Sequence, residues 1–214
     1  MKKYLVLGIL FLLPISVYIF FASGVNNFVK LPVLTENVAT LEAFSSTDVD
    51  TLQFKEKITV LCFFGSDPLA LKANAYNLTH KIYKKNYQFE DFQFVVLLPN
   101  GTQEAAKELK NSLNQVENAK GWNFGFGSEE EIRAIHASLK TNLTLEADLS
   151  TPFVFIIDKD GNLRGRNDDE DLELLYGFDA RSIAEINNKM SDDVKVVLAE
   201  YRLALKKYKA DREI

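Results

Sequence analysis

The sequence predicts an α/β fold, in which helices flank a mixed central β-sheet, behind one N-terminal transmembrane helix. Short continuous apolar runs, rich in β-branched and aromatic residues, alternate with longer segments whose apolar residues recur at helical spacing. Glycine, proline and asparagine clusters separate these runs. An uncharged stretch near the N-terminus is about as long as a bilayer is thick.

The N-terminal stretch, residues 4–22, contains no charged residue and directly follows Lys2 and Lys3. At about 1.5 Å rise per residue its helix is roughly 28 Å long, which matches a bilayer core. Because a signal-peptide core is usually only about 7–15 residues long, we predict an uncleaved signal anchor over a cleaved signal. The two lysines favour a cytoplasmic N-terminus, so a bacterial inner membrane would hold the chain with its domain in the periplasm or outside.

We therefore divide the chain into three parts. Residues 1–24 form the cytoplasmic stub and transmembrane anchor, and residues 25–57 form a tether that leads into a first hairpin. Residues 58–214 form the globular domain. The strength of the apolar runs beyond residue 58 sets the last boundary.

The first half of the domain contains two predicted buried strands, Ile58–Phe64 and Phe92–Leu98. After the first strand, Asp67 at a cap position and Pro68 at the first helical position predict a helix start. After the second strand, Thr102 is predicted to cap another helix.

The second half predicts a further helix, a hairpin and a long terminal helix. Ser128 and Glu131 have the spacing of a capping box, which opens a helix. Phe153–Asp158 is a third strand, and Leu163–Arg166 returns beside it after a tight turn. Ser191 begins the long helix, whose first turn is acidic. This element order is that of a thioredoxin-like fold, in which a proline directly precedes the third core strand, as Pro152 does here.

Three segments of this domain resemble the Sco/SenC family, which comprises thioredoxin-like copper proteins linked to cytochrome c oxidase assembly. The resembling segments are Phe63–Pro68, Trp122–Arg133 and Phe153–Gly165. An N-terminal anchor followed by an exported domain also fits this family. The resemblance implies a role near the assembly of a respiratory oxidase.

The chain departs from the family at its copper ligands. The family binds copper through two cysteines in a Cys-Pro-x-x-Cys-Pro segment, and here the corresponding positions are Asp67 and Leu71. The family's third ligand is a histidine, and Leu149 or Ser150 stands in its place. Copper(I) prefers thiolate and imidazole ligands, and disulfide exchange needs a sulfur nucleophile. We therefore predict no catalytic residue, no metal ligand and no cofactor.

The residues that line the site implied by the resemblance are Asp67, Pro68 and Pro152. For Asp67 a structural cap is favoured over a catalytic or ligand role, because aspartate before proline is a common helix start. The carboxylate also keeps a negative charge at the position of a thiolate.

Other chemically interesting residues have simpler interpretations. Cys62, the single cysteine, lies within an apolar run and is interpreted as a buried core residue, with a reactive thiol as the alternative. His80 and His136 are predicted at the surface. The acidic run Asp168–Asp171, followed by Glu173, is predicted to be a solvated loop, with a site for a basic partner or a weakly bound hard cation as the alternative.

The formal net charge of −5 argues against nucleic-acid binding, which requires a concentrated basic surface. We predict a non-catalytic binding or assembly factor that acts through protein partners in respiratory complex assembly. The alternative is a copper chaperone or thiol-disulfide oxidoreductase that uses Cys62 or a partner's thiols. A use of the same fold in the cell envelope that is unrelated to respiration also stays open.

The predicted anchor should keep the chain in the membrane pellet after alkaline carbonate extraction, because an apolar span resists conditions that release peripheral proteins. Immunoblotting of pellet and supernatant measures this partition. A variant lacking residues 4–22 is the control. Release of the parent chain into the supernatant would exclude the anchor.

Overall fold

The computed structural model describes residues 2–22 and 30–212, without the side chains of residues 2, 5–7, 20–22 and 205–212. The domain is built on one mixed sheet with strand order β1-β7-β6-β3-β4-β5-β2. Strand β10 pairs with the first two residues of β6. A separate two-stranded ribbon consists of β8 and β9. The strands are β1 (Val33–Thr35), β2 (Ser45–Ser46), β3 (Ile58–Phe63), β4 (Phe92–Pro99), β5 (Trp122–Gly127), β6 (Phe153–Ile157), β7 (Leu163–Arg164), β8 (Arg166–Asp169), β9 (Glu173–Leu175) and β10 (Phe178–Asp179).

The helices lie outside this sheet, and two of them are continued by π-helical turns. Thr79–Tyr83 joins α2 to α3, Ile186–Met190 joins α6 to α7, and a 3₁₀ turn covers Ala119–Gly121. The helices are α1 (Lys2–Ala22), α2 (Lys72–Leu78), α3 (Lys84–Asn86), α4 (Gln103–Asn114), α5 (Glu129–Ser138), α6 (Ile183–Glu185) and α7 (Ser191–Arg212).

The predicted mixed sheet is confirmed. Strands β3, β4 and β5 run parallel, whereas β6 is antiparallel to β3, and β7 returns antiparallel beside β6. Parallel strands are usually covered on both faces, and every residue of β3 is buried. The alternation of side chains along the strands therefore creates two separate cores.

The two cores have different covers. On one face, α2, α4 and α7 pack over a cluster that contains Cys62, Phe94 and Trp122. On the other face, α5 packs together with apolar residues of the segment before β3. That segment contributes Val38, Leu41, Phe44, Leu52 and Phe54 to the second core.

The tether was expected to lead into a first hairpin, and this prediction is wrong. Strand β1 pairs with β7 at one edge of the sheet, whereas β2 pairs with β5 at the other. The connection between them crosses the sheet face, where burial of its apolar side chains outweighs any local hairpin preference.

Strand β5 was missed because its sequence has no β-branched residue and includes glycines. Those glycines have a packing reason. A Cβ on Gly125 would come within 2.7 Å of a Leu52 methyl group, and one on Gly127 within 2.6 Å of the Phe44 ring. The glycines thus let the segment between β1 and β3, called the connecting segment below, pack closely against the sheet.

Of the helix starts predicted at Thr102, Ser128 and Ser191, the last two are confirmed, and the side-chain cap at Thr102 is wrong. Ser128 and Glu131 form the predicted capping box at α5. Thr102 precedes α4, but its hydroxyl donates to the Pro99 carbonyl at 2.8 Å and does not cap the helix. Ser191 begins α7, as predicted, and the short helix α6 before it is capped by Ser182, whose hydroxyl accepts from the Glu185 amide. The helical spacing after Ser191 also predicts buried side chains for Leu205 and Tyr208, and these two side chains lie outside the described part of the chain.

A buried ion cluster ties four segments together at one edge of the sheet. Arg164 of β7 lies 3.1 Å from the Asp158 carboxylate and 2.8 Å from that of Glu200 in α7. Its guanidinium Nε also donates to the Leu31 carbonyl at 2.8 Å. Glu200 in turn accepts from the Leu31 amide at 2.9 Å. The cluster therefore joins the end of β6, β7, α7 and the chain entering β1.

The predicted anchor, residues 4–22, falls on α1. Within the parts of the chain whose placement is described, no helix is both long and apolar enough to cross a membrane. The end of the anchor region at residues 23–24 lies outside the described residues. The anchor stays a prediction from the sequence.

Replacing Arg164 with alanine should destabilise the domain by about 3–5 kcal/mol, because two buried carboxylates would lose their cation. Arg181→Ala is the matched control, since Arg181 is 62% exposed in its pair with Asp179. That control should cost less than about 1 kcal/mol. Urea unfolding of the full chain in a mild detergent, followed by Trp122 fluorescence, measures both. Equal losses for the two variants would contradict a structural role for the cluster.

Candidate functional site

The site implied by the family resemblance lies in the turn that follows β3. Gly65 has a φ of +66°, a left-handed conformation that favours glycine. A Cβ at Gly65 would come within 2.7 Å of the Asp148 carbonyl oxygen and 2.9 Å of the Ser150 Cβ. The turn after β3 is thus pressed against the loop before β6.

Asp67 is exposed and caps this turn, but it does not begin a helix as predicted. Its Oδ1 accepts from the amides of Leu69 and Ala70 at 3.2 and 3.3 Å. Helix α2 begins only at Lys72. The carboxylate therefore stabilises a tight turn, and Pro68 behind it is buried.

Leu71, at the family's second thiol position, is partly buried and packs against the helix-covered core. Neither Asp67 nor Leu71 offers a soft ligand for copper. Asp67 supplies a hard carboxylate oxygen that is engaged with backbone amides, and Leu71 supplies only an alkyl group.

The loop before β6 contacts this turn. The Ser66 amide donates to the Asp148 carbonyl at 3.0 Å, and Phe64 forms an isolated antiparallel bridge with Ser150. The Ser150 amide and hydroxyl both donate to the Asp148 carboxylate, at 3.0 and 2.7 Å. Ser150 is consequently tied into its own loop.

Leu149 occupies an unfavourable backbone conformation. Its φ is +70°, which costs a non-glycine residue on the order of 1–2 kcal/mol. Its side chain is only 5% exposed and joins the second core with Phe63 and Phe155. Burial of the isobutyl group offsets the backbone strain, so Leu149, one of the two residues that the resemblance aligns with the family's histidine, acts as a packing residue.

Pro152 precedes β6, as predicted, and is partly buried. The described residues contain no cis peptide bond, so the bond before Pro152 is trans. Its carbonyl accepts from the Ala180 amide at 2.9 Å, next to β10. Asn77 of α2 also donates to the Ala180 carbonyl at 3.1 Å, so the segment around Ala180 joins the start of β6 to α2.

Cys62 lies in β3 and is fully buried. Burial raises the pKa of its thiol far above the ordinary range, so it carries no thiolate at neutral pH. The thiol faces the helix-covered core, where its only polar contact among the described residues is the Val60 carbonyl at 3.9 Å. The structure does not bring Cys62 to the Asp67 turn.

His136 was predicted at the surface, and this is wrong. Its ring packs edge-on against Phe63 and Phe155, with centroids 5.4 and 6.2 Å apart, and its Nε2 is buried without a hydrogen-bond partner. The other ring face borders a shallow cavity of about 400 Å³. Its position four residues after Ile132, on the apolar stripe of α5, was the signal that could have placed it. His80 is exposed.

The acidic run was predicted to be a solvated loop, and this is also wrong in part. Arg166–Asp169 and Glu173–Leu175 pair as a ribbon. Asp169 is 6% exposed, with Lys189 Nζ 2.8 Å from its carboxylate. Burial alone would raise the pKa of Asp169, but Lys189 and two backbone amides hold that pKa below its usual value. A buried partner distant in sequence cannot be read from a charge run.

A larger cleft of about 1040 Å³ lies at the opposite end of the sheet. It is lined by the connecting segment and by Asp91, Lys159 and Tyr201. Lys159 Nζ lies 2.5 Å from the Asp91 carboxylate and 5.5 Å from the centre of the Tyr201 ring. These polar groups satisfy one another, and the cleft is remote from the Asp67 turn.

The arrangement offers no place for the family's copper. Within residues 2–22 and 30–212, no group of three His, Cys, Asp or Glu side chains is placed to hold a metal ion. The residues at the Asp67 turn do not suit copper, because one ligand position is engaged in capping and the others are aliphatic or tied into a loop. What the site does present is a shaped polar surface formed by two loops.

Comparison with known proteins shows the fold. No family model matches the chain. No curated protein matches it either. A solved structure from Aquifex aeolicus VF5, to which electron transfer is provisionally ascribed, matches with a TM-score of 0.53 and 14% identity over 77% of this chain and 97% of that one.

Two further solved structures match more distantly. Copper-bound ScoI of Bradyrhizobium japonicum has a TM-score of 0.42 and 15% identity, and covers 72% of this chain and 95% of its own. A thiol:disulfide interchange protein of Chlorobium tepidum TLS has a TM-score of 0.40 and 18% identity, over 76% and 99%. The chain has a thioredoxin-like α/β fold, as predicted, and at these identities the comparisons show the fold alone.

The partly buried His136 should make stability fall in mild acid. Burial, and then the nearby charge of Arg133, lower the pKa of His136 in the folded chain, whereas in the unfolded chain it stays near 6.5. The unfolded state therefore binds more protons below about pH 6.5, so stability is lost as the pH falls from there through the folded pKa.

Urea unfolding at pH 7.5 and 5.5 tests this linkage in the parent, His136→Leu and His80→Gln chains. His136→Leu should lose less stability between the two pH values than the parent, and the exposed control His80→Gln should match the parent. A His136→Leu variant with the parental pH dependence would show that another group is responsible.

Proposed function

We propose that the chain is a membrane-anchored, extracytoplasmic thioredoxin-like protein that works as a non-catalytic binding or assembly factor. The observation that carries this proposal is the chemistry of the turn after β3. Asp67 and Leu71 stand at the family's two thiol positions, and the single cysteine, Cys62, is buried in the core behind them.

The intact architecture around that turn supports a binding role. In a thioredoxin-like fold the turn after the first core strand and the loop before the next antiparallel strand meet at one end of the sheet. Here the Ser66 amide bonds to Asp148, and Gly65 keeps its left-handed backbone. A protein surface built from two interlocked loops needs no sulfur chemistry to recognise a partner.

The location and the partner class come from the sequence. The uncharged residues 4–22 behind two lysines support an inner-membrane anchor with the domain in the periplasm. The resemblance to the Sco/SenC family supports protein partners in respiratory oxidase assembly. In this proposal the chain contributes contacts to assembly, and delivers no metal and catalyses no thiol exchange.

Copper loading is the decisive measurement. The full chain in detergent is supplied with Cu(I) and with Cu(II) and examined by native mass spectrometry. The parent should retain no stoichiometric copper, because its turn lacks soft ligands. Asp67→Cys/Leu71→Cys/Ser150→His is the matched positive control, since it places the family's ligand types on the same backbone. Retention of one tightly bound copper by the parent would overturn the proposal.

Thiol accessibility tests the competing copper or thiol function through Cys62. In the folded chain Cys62 should stay unalkylated by iodoacetamide and react only after denaturation, because the thiol is buried and protonated. Ser66→Cys in the Cys62→Ala background provides an exposed control thiol, which should react in the folded state. Rapid modification of Cys62 in the folded parent would favour the alternative.

A further inference from the structure

The ribbon formed by β8 and β9 exposes apolar side chains outside the main sheet. Leu172 at its turn is 63% exposed, and Leu174 of β9 is 44% exposed. The next residue, Leu175, is 3% exposed and belongs to the core. The ribbon thus has one leucine that anchors it and two that reach solvent.

Ion pairs fix the shape of this ribbon. Lys189 Nζ lies 2.8 Å from the Asp169 carboxylate and 2.7 Å from that of Asp171. The Asp169 Oδ1 also accepts from the amides of Asp171 and Leu172, which sets the turn. Arg166 of β8 is held at 2.8 Å by a carboxylate of α7. The leucines are therefore presented on a pre-organised surface, so that binding costs little ordering entropy.

Exposed acidic residues flank the exposed leucines in the sequence of the ribbon. Asp168, Glu170 and Glu173 are exposed, and within the described part of the chain none of them has a basic partner at salt-bridge distance. Lys189 and Arg166 are already engaged by other carboxylates, those of Asp169, Asp171 and Asp193. The ribbon consequently combines an apolar centre with an unneutralised negative rim.

We propose that this ribbon is a docking surface for a protein segment that carries lysine or arginine residues around an apolar centre. The inference rests on the proposed function, since it takes the domain to be a binding protein, and it identifies the chemistry of one partner. Charge complementarity favours this occupant, because the acidic rim attracts basic residues. Apolar side chains of the partner would pack against the exposed leucines and remove them from water.

Other occupants fit less well. The acidic rim repels anionic lipid headgroups. A metal ion lacks a site, since the described residues hold no group of three acidic or histidine ligands placed around one point. A ribbon tip of this size covers less than the roughly 800 Å² per partner of a standard interface. The expected binding is therefore weak, with a dissociation constant on the order of micromolar or higher.

The test uses a fluorescent synthetic peptide, Lys-Leu-Gly-Lys-Leu-Gly-Lys, and the full chain in discs of zwitterionic lipid, with empty discs as the blank. Anisotropy should show saturable binding to the parent that weakens at least threefold when the salt concentration is raised from 50 to 300 mM, as opposite charges predict. Peptides with glutamate in place of lysine, or with glycine in place of leucine, should bind at least fivefold more weakly.

Ribbon variants then locate the binding. Leu172→Ser/Leu174→Ser should weaken binding at least fivefold, and Glu170→Gln/Glu173→Gln should weaken it and flatten its salt dependence. Val49→Ser, a substitution of a 38%-exposed apolar residue near the opposite edge of the sheet, is the matched control and should bind as the parent does. Circular dichroism checks that each variant is folded.

The proposal is overturned if the peptide fails to bind the parent, binds parent and ribbon variants equally, or binds the glutamate peptide as well as the lysine peptide. Binding to empty discs at the same level would assign the signal to the lipid and overturn it as well. Copper loading is measured separately. A parent that binds copper but also binds the peptide through the ribbon would refute the non-metal function and leave the docking surface in place.

Discussion

The central parallel strands are buried on both faces, and the rest of the structure follows from that constraint. All six residues of β3 and all six of β5 are buried, so each face of the sheet needs its own cover. Helices α2, α4 and α7 cover one face. On the other face α5 is too small alone, and the segment between β1 and β3 completes the layer. The segment that the sequence predicts to be a tether is therefore part of the core.

The same demand for cover explains the glycines and the buried ion cluster. Gly125 and Gly127 let the connecting segment pack closely on β5. Arg164 and its partners Asp158 and Glu200 close the opposite edge, where α7 meets the chain entering β1. A buried cluster of this kind adds little stability over apolar packing, but it fixes which segments meet.

The candidate site shows that backbone architecture and side-chain chemistry are separable. At the end of the sheet the turn after β3, which contains Gly65, packs against the loop before β6. The side chains there serve other purposes: Asp67 caps a turn, and Leu149 fills the core despite its positive φ. In the proposed function this surface serves recognition, and the acidic ribbon that follows the hairpin in sequence is proposed as a second surface with different chemistry.

Much of the fold could be predicted because its signals are local. The apolar runs of β3, β4 and β6 are short, dense in β-branched and aromatic residues, and bounded by turns. Strand β5 lacked such a signal, since its pairing depends on neighbours and its glycines serve packing against a distant segment. The partial burial of His136 could have been predicted from the helical pattern. That of Asp169 was not, because its partner Lys189 is 20 residues away.

The sequence by itself determined the order of β3, β4, β6 and β7 relative to the main helices, and the absence of a thiol pair, because both depend only on residue types and their spacing. Tertiary structure alone decided that β1 and β2 lie at opposite edges, that Cys62 faces away from the Asp67 turn, and that one aspartate of an acidic run is buried while its neighbours are exposed. Each of these depends on contacts between distant segments, which compete for the same buried surface. Local propensity does not depend on those contacts and therefore cannot predict their outcome.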